Sequence, residues 1–250
     1  MDWGSLIGLL IAIVAIIASH ILEGGLIQSL LQPTAFIVTV GGTAGAVILQ
    51  FGFPRVLRAM RLMKRAFTPD KEFCDDLLNS IDVWAKTARL EGLHKLEMHL
   101  DSAADPFITR GLVLLADFKS RTQISEILKT DINSYERASK LAIKVWEAAG
   151  GYAPTIGILG AVMGLIRVMS HLGEPELLGS GIAIAFVSTL YGVGLSNLVF
   201  LPIANKLKYS LQHEILKREM IAEALYLISE GEHSLIIKEH IKSHWYSDEE

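Results

Sequence analysis

The feature that most constrains this chain is where its charges are missing. Four long apolar windows, 3–22, 24–54, 148–166 and 177–205, contain no Asp, Glu, Lys or Arg. A helix needs about 20 apolar residues to cross ~30 Å of hydrocarbon, and each window qualifies once its polar margins are counted. Over all 250 residues the hydrophobic fraction is 51% and the mean hydropathy +0.39, too apolar for an ordinary soluble domain. Nothing alternates with period two for long, so the chain reads as helical throughout. The expected fold is an all-α membrane protein. Four transmembrane helices form two hairpins, with a helical cytoplasmic domain between spans 2 and 3 and a helical C-terminal tail. The corresponding segments are 1–54, 55–147, 148–205 and 206–250.

Positive charge sets the expected topology. Of the 23 Lys and Arg, sixteen lie between Arg55 and Lys144, six lie between Lys206 and Lys242, and the remaining one is Arg167. The short connections 23–33 and 173–179 have none. The positive-inside rule then puts the middle segment, the tail and both termini in the cytoplasm. The first Lys or Arg is Arg55, so the N-terminal span lacks the basic region of a signal peptide and is expected to be retained. The net charge of −4 says little, because residues 55–147 balance sixteen basic against fourteen acidic groups. Cys74 is the single cysteine and cannot form an internal disulfide. No Cys/His spacing suggests a metal site.

After Pro54, Arg55, Arg58, Arg61 and Arg65 recur at helical spacing opposite Leu57, Met60, Met63 and Phe67. This reads as a stem helix with its basic side near anionic lipid headgroups. A nucleic-acid role for four charges beside a membrane is not expected. Thr68-Pro69-Asp70 breaks that helix. The pattern from Phe73 through Leu77, Ile81, Trp84 and Ala88 makes another, which Gly92 interrupts. Short helices follow near 93–100 and 106–116. A long pattern then runs from Ser120 through Ile124, Leu128, Ile132, Leu141 and Val145 into the third span. The tail is helical over 207–228, breaks at Gly231 and ends in the acidic SDEE.

The spans themselves are bare. Asp2 and Glu23 flank the first, and Arg167 lies near the outer end of the third. Charged groups are costly in a membrane and usually mark an ion path, so a titrating group for proton transport would have to come from another chain. The spans offer close-packing surfaces instead. In the third, Ala149, Ala153, Gly157 and Ala161 lie four apart, with Gly160 and Gly164 on a neighbouring row. In the fourth, Gly181, Ala185 and Thr189 form one row, and Ser188, Gly192 and Ser196 another. Small residues at this spacing let helix backbones approach in lipid. Packing within one subunit accounts for part of the pattern, and ladders on several rows suggest further helical neighbours. Pro154 and Pro202 sit at the cytoplasmic ends of these spans, where each removes a backbone hydrogen bond. Helix punctuation suits Pro154 as a first-turn residue but suits Pro202 poorly, because the sequence after it continues as helix.

The segments GYAPTIGILGAVMGLI and FVSTLYGVGLSNLVFLPIANKL resemble the third and fourth spans of the MotA/PomA subunits of bacterial flagellar stators. ARLEGLHKLE resembles that family's cytoplasmic charged motif, and the likeness runs through the whole chain. It implies a torque-generating ion channel subunit without enzyme activity or cofactor, in the bacterial inner membrane. Copies of it would surround a MotB-like single-span partner whose membrane Asp carries the ion. By the same resemblance, Pro154 and Pro202 match prolines linked to coupling between ion flow and the cytoplasmic domain. Arg89 and Glu97 match charges that engage the rotor protein FliG. Sodium-type members tend to carry Thr at the positions of Ala161 and Thr189. With only the second Thr here, the resemblance favours the proton. The alternative is an energiser subunit resembling ExbB and TolQ, which have three spans and an outside N-terminus. A scaffold without ion conduction is a further class.

Overall fold

The computed structural model describes residues 3–64, 75–100, 105–117 and 120–246. Asp2, Arg65, Phe67, Thr68-Pro69-Asp70, Phe73, Cys74 and the SDEE tail lie outside the described residues. Eleven α-helices occur among the described residues, and no strand does. They are α1 (Trp3–Leu22), α2 (Ile27–Leu30), α3 (Pro33–Phe36), α4 (Gly42–Phe51), α5 (Phe53–Met63) and α6 (Asp75–Glu91). These are followed by α7 (Pro106–Ala116), α8 (Arg121–Ser170), α9 (Pro175–Leu195), α10 (Leu201–Glu230) and α11 (Ser234–Tyr246). A 3₁₀ helix covers Leu93–His99, and π turns cover Ile37–Gly41 and Ser196–Phe200. Four helical stretches are long and apolar enough to cross a membrane: Trp3–Leu22, Ile27–Phe51, a part of Arg121–Ser170 and a part of Leu178–Glu230. The protein is a multi-pass membrane protein. Two compact units divide the chain, 1–69 with 139–210, and 70–138 with 211–250.

In the first unit, α1 buries none of its residues. The second span, within the apolar window 24–54, is less regular than a single helix. Gln32 precedes a proline, which disfavours the α conformation, and it is extended at φ −112° and ψ 98°. The helix therefore restarts at Pro33, where a missing N–H costs nothing. Inside the following π turn, Thr39 is fully buried, and its carbonyl accepts from the Thr43 hydroxyl at 2.6 Å. Such hydroxyl back-bonds bend helices. The span ends at Gly52, whose φ of 78° favours glycine, and Pro54 falls in the first turn of α5 rather than closing the span. On α5, Arg55, Arg58 and Arg61 are exposed, as are Leu57 and Met60, while Ala59 is buried. The Trp146 indole N–H donates to the Ala59 carbonyl at 3.2 Å, and the Tyr152 hydroxyl donates to Gln50 at 3.0 Å.

The second unit has a conventional apolar core. Ile81 and Trp84 of α6, Leu96, Phe107 and Leu112 of α7, Ile124 and Leu128 of α8, and Ile221 and Leu225 of α10 are all buried in it. Ile237 and Ile241 of α11 complete the core. Of the expected pattern along α8, Val145 in the first unit is buried, as are Ala142 and Trp146, whereas Leu141 is 45% exposed. Asp105 caps α7 by accepting the Phe107 N–H at 2.9 Å, with Pro106 in the first turn. Gly111 has no room for a side chain, since a Cβ there would collide with the Leu225 side chain. Arg218 stacks over Tyr135 at 3.9 Å from the ring centroid and bonds Glu214 at 2.8 Å.

Candidate functional site

The small-residue rows of the third and fourth spans mate with each other. A Cβ added at Gly157 would fall 2.8 Å from the Ser188 carbonyl oxygen and 3.2 Å from the Gly192 Cα. One at Gly164 would fall 2.7 Å from the Ala185 nitrogen, and one at Gly192 would fall 2.5 Å from the Ala153 carbonyl oxygen. These neighbours are backbone and cannot turn aside. Gly160 faces the Ser188 side chain at 2.8 Å and Val38 of the second span at 3.3 Å. Ser188 is fully buried, its hydroxyl has no partner, and its carbonyl accepts from the Thr39 hydroxyl at 3.4 Å. The ladders thus serve packing inside one subunit. Ile158, Val162, Phe186 and Val193 on the other faces remain exposed.

Ala161 and Thr189 are both half-buried. Thr189 Cα lies 3.3 Å from a Cβ built at Gly157, which puts Thr189 beside the turn of α8 that precedes Ala161. The Thr189 hydroxyl donates to the Ala185 carbonyl of its own helix at 3.3 Å. Arg167, in the last turn of α8, is exposed, and its carbonyl accepts from His171 Nδ1–H at 2.9 Å.

Pro154 is placed differently from the expectation of a first-turn proline. Pro154 lies inside the 50-residue helix α8. Pro202 lies in the first turn of α10, directly after the Ser196–Phe200 π turn. A proline ring clashes with the carbonyl four residues back. For Pro202 that residue is Leu198, inside the π turn, where the extra residue has already shifted the ladder: the Leu201 N–H donates to Ser196 O, five residues back. Both prolines therefore lie inside continuous helix, Pro154 within α8 and Pro202 within the stretch Leu178–Glu230, just past its π turn. Their surroundings are joined. Gly150 O, which Pro154 deprives of its helical donor, accepts from the buried Ser196 hydroxyl at 2.6 Å. Ser196 is 2% exposed. Beside this pair Trp146 packs on Phe200 with ring centroids 6.1 Å apart, and Lys208 forms an ion pair with Glu147.

Arg89 and Glu97 are in the other unit, both exposed, on either side of Gly92 at φ 95°. Arg89 lies in the last turn of α6 and Glu97 stands on the 3₁₀ helix. Each has an exposed apolar neighbour, Leu90 at 82% and Met98 at 66%. Sequence reasoning placed Ser196 on a packing row and missed its hydrogen bond. It also missed Thr39, Trp146 and Tyr191, whose partners lie 149, 87 and 161 residues away in the chain.

Comparison with known proteins gives this arrangement a context. Residues 6–92 match the motility protein A N-terminal family, and residues 99–220 match the MotA/TolQ/ExbB proton channel family. Motility protein A of Bacillus subtilis is 33% identical over 240 residues, covering 96% of this chain and 89% of that protein. The solved structure of MotAB from C. jejuni superposes with a TM-score of 0.90 at 25% identity, covering 98% of this chain and 96% of the other. The flagellar MotAB stator complex from Bacillus subtilis superposes with a TM-score of 0.86 at 32% identity, covering 96% and 95%. Similar in sequence and in fold over nearly its whole length, this chain belongs to the MotA/PomA family of motility protein A subunits.

Proposed function

We propose that this chain is the multi-pass subunit of a flagellar stator, working in several copies around a single-span MotB-like partner in the bacterial inner membrane. The observation that carries the reading is the absence of any carboxylate from the four spans: no Asp or Glu occurs in 3–22, 24–69, 148–173 or 177–213. The spans supply a close-packed wall without carboxylates, so the group that takes and releases the ion belongs to the partner. Protons are the ion, with Ala161 where a hydroxyl would help a sodium ion and Thr189 engaged with its own helix. Pro154 and Pro202 pass pore events to the cytoplasmic segment. Arg89 and Glu97 engage the rotor protein FliG, steering a passing partner without holding it. The arginines of α5 face lipid headgroups, and both termini are cytoplasmic. Four spans and a motility-type N-terminal region favour the stator over the ExbB/TolQ-like energisers.

The test is co-purification with the cognate MotB-like chain, subunits counted, together with swimming in a strain whose other stator sets are deleted. A complex of several copies per partner that restores swimming is expected. A chain that assembles with no single-span partner, or whose N-terminal reporter reads outside, sinks the proposal. Reversing the charges of Arg89 and Glu97 should abolish swimming while the complex still assembles. Rotation that needs external sodium and ignores the proton gradient would overturn the ion.

A further inference from the structure

In an α-helix each carbonyl takes the N–H four residues ahead. Pro154 has none, so the Gly150 carbonyl loses its helical donor at the membrane end of α8. A carbonyl left unmet in a protein interior is costly. The Ser196 hydroxyl meets it, at 2.6 Å and buried. A serine inside a helix ordinarily turns back to the carbonyl four residues before it, here Gly192. Ser196 reaches across to the other span instead. Its own carbonyl meanwhile accepts the Leu201 N–H that closes the π turn ahead of Pro202. The contact depends on Gly150, because a Cβ there would lie 2.6 Å from the Leu201 side chain. One residue therefore holds, with its hydroxyl, the carbonyl that Pro154 releases and, with its carbonyl, the turn that accommodates Pro202.

We propose that Ser196 is a positioning residue of the stator: its hydroxyl substitutes for the donor that Pro154 lacks and makes the proline segment of the third span and the π turn of the fourth move as one. The hydroxyl bonds Gly150 across the interface, and the usual alternative for a helical serine is the carbonyl four residues back, that of Gly192. Releasing the first for the second would uncouple the spans. This rests on the reading of Pro154 and Pro202 as coupling residues.

The test uses the assembled complex in detergent and the same variants in a strain without other stators. Ser196→Ala should lower the melting temperature by several degrees in the parent. It should lower it far less in a Pro154→Ala background, where the backbone N–H restored at that position returns to the Gly150 carbonyl. In cells, Ser196→Ala should slow swimming several-fold while ion flux through the complex stays within about twofold, and Ser196→Thr should restore both melting and swimming. Equal melting losses in the two backgrounds would show that Ser196 only fills space, and overturn the proposal. Flux and swimming falling in step would overturn the coupling even if the melting cycle held. A parent complex that drives no swimming would sink the stator reading instead, and the melting cycle would still decide the bond.

Discussion

The Tyr191 hydroxyl mends the break in the second span: it donates to the Leu30 carbonyl and accepts the Gln32 N–H at 3.4 Å. Leu31 and Gln32 are not helical, yet they lie in an apolar stretch that is long enough to cross a membrane. Irregular backbone at such a place survives only where protein groups satisfy it. Tyr191 also meets Phe36 edge-on, with centroids 6.2 Å apart and planes at 86°.

Tyr191→Phe keeps that ring contact and removes both hydrogen bonds. The expected loss is about 1 kcal/mol, that of hydrogen bonds made at a part-buried site. It should be read as a lower melting temperature of the purified complex. An unchanged melting temperature would mean that water reaches the break.

The glycines of α8 separate into two kinds, and substitution should tell them apart. Gly157→Ala drives a methyl against the Ser188 carbonyl and the Cα atoms of Gly192 and Thr189. Backbone cannot yield without separating the spans, so a cost of roughly 1–3 kcal/mol is expected. Gly151→Ala meets nothing within 4 Å and should leave the subunit's own stability intact. Membrane abundance of the two variants, expressed alone, checks the contrast. If Gly151→Ala impairs assembly only when the partner is present, its open side is a surface between chains.

Much of this fold was legible because lipid leaves few options. The gap in charge located all four spans, and Gly92 and Gly231 marked helix ends that do adopt positive φ, at 95° and 79°. The ladders of Gly157, Gly164 and Gly192 announced close packing, but spacing alone could not say against what. Their partner is the neighbouring span of the same chain. What stayed hidden were irregularities decided by distant contacts. A π turn leaves no mark on periodicity, so nothing near Pro202 disclosed that the chain ahead of it had already left the α ladder. Nothing near Pro154 disclosed that a serine 42 positions on would sit against its turn. Sequence could name both prolines but not that α8 runs on unbroken through Pro154.

Trp146 ties α8 to α5 through its N–H to Ala59 O, and its ring packs against Phe200. These two contributions can be separated. Trp146→Phe keeps an aromatic ring and drops the hydrogen bond, and the Ala59 carbonyl retains its place in the α5 ladder. About 1 kcal/mol is expected. Trp146→Ala opens a cavity at a site only 7% exposed and should cost about 3–5 kcal/mol. Comparable losses from both variants in a melting series would show that the N–H, not the ring, holds the stem.

Asp82 supplies a pH-dependent link in the second unit. Its carboxylate bonds Lys86 at 2.8 Å and lies 3.4 Å from Lys238 of α11. The Lys86 ammonium chiefly holds the carboxyl below its ordinary value, against a smaller opposing effect of burial, with Ser234 and Lys238 adding to the lowering. A carboxyl whose folded value is depressed stabilises the fold above its unfolded value, near 3.9, and that contribution is lost as pH falls through the folded value. Asp82→Asn keeps the shape and removes the charge. The variant should therefore melt below the parent by a constant margin from pH 7 down to about 5, and the margin should close below about pH 4. The protonated carboxyl of the parent and the amide of the variant then present the same neutral surface to both lysines. A margin that persisted unchanged into acid would assign the effect to packing and dismiss the charge.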